Sequence, residues 1–146
     1  MTPPVNLVLI NPKKNTDINE DNRRLISRVA PVCLAYNFHL WLLDFGIKET
    51  PLDFAESIAP STSIGKGGEN LIRLCKQGKV KILDNQLPQN IGKMVTCTNQ
   101  PEYSRKKELE DIVTLSKQET IALIFGIDQR SNKMLKKIKE EFYCHL

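Results

Sequence analysis

Four strand-like runs, three of them almost entirely apolar, constrain the fold of this chain more than any other feature. They cover Val5–Ile10, residues 38–45, Lys93–Thr98 and Ile121–Gly126. Nearly continuous apolar strands are typical of parallel sheets that are covered on both faces. Helical patterns separate the runs, and a strand–helix–strand unit closes with a right-handed crossover. The pattern predicts an α/β fold with a mostly parallel sheet of about five strands and helices on both faces.

The composition fits one ordinary globular domain that spans residues 1–146. The chain is 40% hydrophobic and 26% charged, and at 146 residues it can bury a core without cross-links. Its four cysteines form no C-x-x-C pair, so we expect reduced, buried thiols. The two histidines have no metal-ligand spacing, which predicts no metal. No leader and no apolar stretch of ~20 residues is apparent, so we expect a cytoplasmic protein without a membrane partner.

The helices between the strands have recognisable apolar faces. In the first helix an inward face is expected, and Pro31 predicts a kink or an early stop. A later helix over residues 102–117 and a basic helix over 131–141 complete the pattern, before a fifth strand that starts at Phe142. The expected inward residues are Leu25, Ile26, Val29, Val32, Cys33 and Tyr36 in the first helix, and Leu109, Ile112, Val113 and Leu115 in the later one.

In parallel sheets of this kind, ligands bind outside the carboxyl ends of the strands. The segments that follow Ile10, Phe45, Cys97 and Phe125 therefore carry the candidate site. The first of these segments leads to Asn22-Arg23-Arg24-Leu25-Ile26-Ser27-Arg28. Taken alone, this run is also compatible with a solvated basic helix face, because Arg24 and Arg28 are four residues apart.

This run resembles the Asn-x-Gly-x-x-x-Arg stretch that follows the first strand in the SPOUT superfamily of RNA methyltransferases, especially its TrmH-like branch. Arg24 stands where the family has glycine. By resemblance, Asn22 and Arg28 are the catalytic residues, with Arg28 near the methylated ribose or its phosphate. The neighbouring Arg23 and Arg24 are the RNA-binding residues that the resemblance implies on this helix.

A second resemblance lies at the end of the fourth run. The family has an apolar strand that ends in Phe-Gly-Asn-Glu-x-x-Gly, and this chain has Phe125-Gly126-Ile127-Asp128. Glycine at such a strand end allows a ligand to approach the backbone, although an ordinary turn would also explain it. The small residues that end the third run are similar to the strand end that lines the same pocket. The implied S-adenosylmethionine contacts are Thr96, Cys97, Thr98, Phe125, Gly126, Ile127 and Asp128.

The third family motif follows the fifth strand and forms a trefoil knot. This chain stops at residues 143–146, where that motif should begin. The resemblance predicts a SPOUT-like α/β knot, and either the parent protein continues beyond these residues or this member has lost the motif. The chain looks closest to an archaeal family within or near the superfamily. The resemblance also implies RNA as a partner and a homodimer, because family members complete their active site across two subunits.

The segment Gly65-Lys66-Gly67-Gly68 precedes another helix. Backbone N–H groups there can hold a phosphate, whereas glycine content alone favours a mobile loop. By resemblance, Lys66 and Arg73 contact RNA, and the net charge of +4 fits a phosphate-bearing partner.

Three functions remain open from the sequence. The first is an S-adenosylmethionine-dependent methyltransferase acting on tRNA or rRNA. The second is a non-enzymatic RNA-binding scaffold that kept the fold and lost the pocket. The third is a nucleotide-binding domain of the flavodoxin kind, which only the parallel sheet and the glycine segment suggest.

Overall fold

The computed structural model describes residues 4–11, 20–59, 66–98, 106–126 and 142–145. It contains seven strands and four helices within these ranges. In chain order they are β1 (Val5–Ile10), α1 (Glu20–Tyr36), β2 (Phe38–Leu43), α2 (Pro51–Ile58), α3 (Lys66–Lys76), β3 (Val80–Leu83), β4 (Lys93–Thr98), β5 (Lys106–Lys107), α4 (Leu109–Gln118), β6 (Ile121–Gly126) and β7 (Phe142–His145).

The strands form one sheet in the order β3-β2-β1-β6-β4-β7-β5. Every pair of neighbouring strands is parallel. The predicted α/β class with a parallel sheet is therefore confirmed. The strand number exceeds the expected five because β3 and the two-residue β5 join the sheet at its two edges.

All four described helices pack against one face of the sheet. That face carries Leu7 and Leu9 of β1, which form one core cluster with α1, α2 and α3. The short α4 packs on the same face through Ile112 against β4 and β6. Within the described residues, the opposite face is covered by the segment before β4, through Leu87 and Ile91. The basic helix predicted over residues 131–141 lies outside the described residues.

Two helical predictions need correction. The helix α1 continues through Pro31 to Tyr36, so the early stop was wrong: buried Ala30 and Cys33 hold both sides of the proline against the core. The predicted helix over 102–117 begins only at Leu109, because the two residues of β5 pair with β7 instead.

On each of these two helices, fewer of the apolar residues are buried than the sequence predicts. On α1, Ile26 and Cys33 are buried, whereas Val32 and Tyr36 are exposed. On α4, Ile112 is buried, whereas Val113 is exposed. The sequence shows that these residues are apolar, but the neighbouring elements cover only part of each helix.

None of the helices in the described ranges is long and apolar enough to span a membrane.

Candidate functional site

The connections that leave β1 and β6 run in opposite directions along the sheet. β1 leads to β2 on one side, while β6 leads to β7 on the other, although β1 and β6 are neighbours. The last residues of these strands, Ile10 and Gly126, are directly paired. Crevices at such reversals are where parallel sheets bind ligands. The candidate site is therefore the carboxyl edge formed by β1, β6 and β4.

Two residues beyond β1 and β2 give this edge a defined structure, one through its backbone and one through its side chain. Asn11 is buried, and its backbone N–H donates to the Leu43 carbonyl oxygen at 3.0 Å. Asp44 is also buried, and its Oδ1 accepts from the Asn85 backbone N–H at 2.7 Å. Both Asp44 and Asn85 have left-handed backbones, with φ of 64° and 74°. Asp44 is not among the site residues predicted from the sequence, although an acid directly after the second strand of a parallel sheet is a recognisable signal.

The side chains at the end of β4 are less accessible at the carboxyl edge than the sequence suggests. Thr96 is fully buried at 0% exposure, and Cys97 is only 4% exposed. Within the described residues, the Thr96 Oγ1 has no hydrogen-bond partner, which is unusual for a buried hydroxyl. Thr98 ends β4 and pairs with His145 of β7. The structure describes its backbone and not its side chain. Thr98 is therefore the β4 position nearest the edge, while the other two lie inside the sheet.

The glycine motif at the end of β6 is only partly described. Phe125 is half-buried and pairs with Cys97 of β4 and Leu9 of β1. The strand ends at Gly126, in register with Ile10. Ile127 and Asp128 lie outside the described residues. The structure thus brings the two segments that are predicted to bind the cofactor onto neighbouring strands.

The two predicted catalytic residues lie on different sides of α1. Asn22 is in the first turn, and Arg28 is six residues further along. At 1.5 Å and 100° per residue, they are separated by roughly 9 Å along the helix axis and about 120° around it. Arg28 is exposed, whereas Asn22 is half-buried. Since α1 runs back from the carboxyl edge, Asn22 lies nearer that edge than Arg28.

The predicted RNA-binding arginines of α1 share one acid. Arg23 Nη1 lies 3.8 Å from Glu20 Oε2, and Arg24 Nε lies 3.7 Å from Glu20 Oε1. Exposed pairs of this kind contribute about 0–1 kcal/mol each to stability. Arg73 is exposed on α3, and the Lys66 side chain lies outside the description. The positive charge on this part of α1 is partly neutralised within the helix itself.

The glycine segment begins a helix, which corrects the mobile-loop interpretation for its last three residues. Lys66 and the two glycines that follow it form the first turn of α3. A Cβ on Gly68 would lie 2.8 Å from the Ala59 Cα, so glycine allows α3 to approach the end of α2. This close contact explains Gly68 without a phosphate. Gly65 lies outside the described residues.

The three described cysteines, Cys33, Cys75 and Cys97, form no disulfide, as predicted. Cys33 and Cys97 are buried, whereas Cys75 is half-buried. Burial raises the pKa of Cys33 and of Cys75 to about 11, so both remain protonated thiols near neutral pH. Within the described ranges, no group of three or more His, Cys, Asp or Glu side chains is arranged to hold a metal ion.

An apolar groove of about 410 Å³ lies between α1 and the sheet. Its rim includes Val32, which is 45% exposed, and α1 ends beside it at Tyr36, which is 70% exposed. The groove is lined by Leu7, Leu9, Leu25, Val29, Val32, Phe38, Leu123 and Phe125. Leu25, Val29 and Val32 are three of the α1 residues that were expected inside the core, and the other lining residues come from the strands beneath them.

No protein-family model matches the chain. It is 29% identical over 140 residues to an uncharacterised protein of the archaeon Methanocaldococcus jannaschii, MJ0224. The match covers 96% of this chain and 78% of that protein.

Proposed function

We propose that this chain is a SPOUT-like domain that binds S-adenosylmethionine and transfers its methyl group to RNA. The observation that carries the proposal is the carboxyl edge at which β1, β6 and β4 meet. Both segments that resemble the family's cofactor motifs end there, on neighbouring strands. The sequence match to an archaeal protein supports the expected archaeal relationship. A cytoplasmic location is part of this proposal.

Two features of the edge fit the cofactor. Gly126, which pairs with Ile10 at the end of β6, has no side chain, so a ligand can approach its backbone. Thr98 ends β4 directly after Cys97, which pairs with Phe125, so Thr98 and Gly126 end neighbouring strands at the same level of the edge. The backbones of Thr98 and Gly126 would hold the cofactor, which supplies an electrophilic methyl group.

In this proposal, two residues of α1 bind the RNA substrate. Asn22, in the first turn, is placed to orient the RNA group that accepts the methyl. Arg28 is exposed and roughly 9 Å further along the axis, so it is placed to bind a phosphate of the same RNA.

Isothermal titration of the chain with S-adenosylmethionine tests the proposal. We expect saturable heat, and we expect Gly126→Val to abolish it because the added side chain occupies the edge. Arg73→Ala is the control, since Arg73 is exposed on α3 and should leave cofactor affinity unchanged. Absence of heat and of any thermal shift at millimolar cofactor would count against cofactor binding.

A non-enzymatic RNA-binding scaffold is the second candidate. The burial of Thr96 and Cys97 favours it, because neither side chain presents a polar group at the edge. Filter binding to tRNA and rRNA over a salt series separates the candidates when it is combined with transfer of labelled methyl groups. A scaffold binds RNA with salt-dependent affinity and transfers no methyl.

We further propose that the chain forms a homodimer through the apolar groove beside α1. An apolar surface with exposed Val32 and Tyr36 at its margin is a suitable contact for a second copy. Tyr36 and Phe38 support each other there, with ring centroids 5.8 Å apart. The neighbouring Arg28 would then lie close to the second subunit.

We expect Val32→Glu to weaken the dimer at least about tenfold, because the interface would bury an unpaired carboxylate. Sedimentation equilibrium over a concentration series measures the change. Val113→Glu is a matched control: both valines are 45% exposed, but Val113 does not line the groove. Equal weakening by both variants, or a monomeric parent chain, would contradict the proposed interface.

A further inference from the structure

A row of cationic and aromatic side chains crosses β2 and β3 on the face opposite the helices. Trp41 of β2 pairs directly with Lys81 of β3. His39 and Lys79 precede them by two residues, and the Leu40 backbone N–H donates to the Lys79 carbonyl oxygen at 2.7 Å. Side chains two residues apart in a strand share a face, so all four project from the same side of the sheet.

This row remains accessible. Lys81 is exposed, and His39, Trp41 and Lys79 are half-buried. The segment that covers the same face packs through Leu87 and Ile91 against β1, β2 and β6, and Trp41 packs against the same cluster while its side chain remains partly exposed. The row lies towards the amino-terminal ends of β2 and β3, beside the sheet edge.

The Trp41 ring is held in a fixed orientation. Its Nε1 donates to Asn6 Oδ1 at 3.0 Å, and Asn6 Nδ2 donates to the Ile91 carbonyl oxygen at 2.7 Å. A ring fixed by a buried amide loses little conformational entropy when a flat partner stacks on it.

The two lysines of the row carry positive charges that no described acid neutralises through an ion pair. Among the described residues, neither Lys79 nor Lys81 forms an ion pair, in contrast to Arg23 and Arg24 of α1. Lys79 Nζ donates to Asn37 Oδ1, which positions the ammonium group without cancelling its charge. Burial lowers the pKa of His39, and the charges of Lys79 and Lys81 lower it further. The histidine is therefore neutral near pH 7.

A concavity of about 480 Å³ extends the row towards the carboxyl end of β3. Trp41, Lys81 and Lys48 line it, and so do the acids Glu49 and Asp84. Glu49 follows β2 and Asp84 follows β3, so both acids lie at the end of the concavity that is far from Lys79. A polyanion is therefore attracted to the lysine end and repelled from the acidic end.

We infer that the row formed by His39, Trp41, Lys79 and Lys81 binds single-stranded RNA, with a base stacked on Trp41 and phosphates on the two lysines. The inference rests on the proposed RNA-directed function and adds a surface on the face of the sheet opposite α1 and α3. Aromatic rings beside cations on a groove are the usual elements of single-strand binding, because each base offers a flat face and each linkage a charge.

The intrinsic fluorescence of the chain tests this directly, because Trp41 is its one tryptophan. A short oligouridylate should quench the emission to a plateau, with an affinity that falls as salt rises. In Lys79→Ala/Lys81→Ala, the slope of log affinity against log salt should shrink by about 1.4, which is 0.7 for each lost phosphate contact. Lys76→Ala, an exposed lysine on α3, should leave the slope unchanged.

A second pair of variants tests the stacking by filter binding. Trp41→Phe should lose part of the affinity together with the hydrogen bond to Asn6, whereas Trp41→Leu should lose more, about fivefold or above, because leucine has no flat ring. Circular dichroism establishes that each variant is folded. Equal affinity of the Phe and Leu variants would exclude stacking on this ring.

The remaining outcomes separate this inference from the proposed function. Suppose that Lys79→Ala/Lys81→Ala leaves the slope of log affinity against log salt unchanged, while Arg23→Ala/Arg24→Ala lowers it. RNA then binds along α1, and the row is not its site. Equal quenching by polyglutamate would make the row a general polyanion surface and overturn the assignment to RNA. If the chain binds the oligonucleotide as expected but takes up no S-adenosylmethionine, the methyltransferase proposal fails and the RNA surface stands.

Discussion

Gly92→Ala should destabilise the chain by about 4 kcal/mol, the largest effect of a single methyl group that we expect here. Gly92 has a φ of 113°, which side-chain-bearing residues rarely adopt. A Cβ there would lie 2.6 Å from the Thr120 carbonyl oxygen, a backbone atom that cannot rotate away. The same oxygen accepts the Lys93 N–H at 3.1 Å, so displacing it separates the first residues of β4 and β6.

Chemical denaturation measures this loss, and the melting temperature should fall by roughly 10–15 °C. Gly78→Ala is the matched control. Gly78 also has a positive φ, 73°, but an added Cβ would meet nothing within 4 Å. It should therefore cost only about 1 kcal/mol, the strain of the left-handed backbone. If the two variants were equally stable, the contact between Gly92 and Thr120 would not be a constraint on the β4–β6 pair.

Asn6→Ala should cost about 2–4 kcal/mol, because it leaves two partners without hydrogen bonds. The amide of Asn6 accepts from Trp41 Nε1 and donates to the Ile91 carbonyl oxygen. Each buried polar group left unpaired costs about 1–3 kcal/mol. The released indole should also change its emission maximum, and the affinity for single-stranded RNA should fall because the ring is no longer held.

Asn90→Ala provides the control for this change. Asn90 is exposed and directly precedes Ile91, so its replacement should change stability by less than about 0.5 kcal/mol. A double variant of Asn6→Ala and Trp41→Phe should lose less than the sum of the single losses, since both remove the same hydrogen bond. Additive losses would show that the two side chains are not coupled.

The positions of the strands could be predicted because their signal is local. The bounds of β1, β4 and β6 agree with the predicted runs. The buried faces of the helices were predicted less well, because the apolar character of a residue does not specify which other residue packs against it. Val113 and Val32 are as apolar as the buried residues beside them, yet no described element covers them fully.

The candidate site shows the same division. Gly126 and Thr98 could be selected because strand ends carry ligands in any parallel sheet. The inaccessibility of Thr96 could not be predicted, since it depends on β6 and β7 pairing on either side of β4. Likewise, Lys79 and Lys81 look like any charged residues around a short strand until the register places Trp41 beside them.

The sequence by itself determined the α/β class, the parallel direction of the strands and the residues that end them, because these follow from local hydrophobic periodicity and turn chemistry. Only the tertiary structure decided which strands are neighbours, which apolar faces remain open and which cations lack an acidic partner. These properties depend on contacts between residues far apart in the chain, such as Asn6 with Ile91 and Gly92 with Thr120.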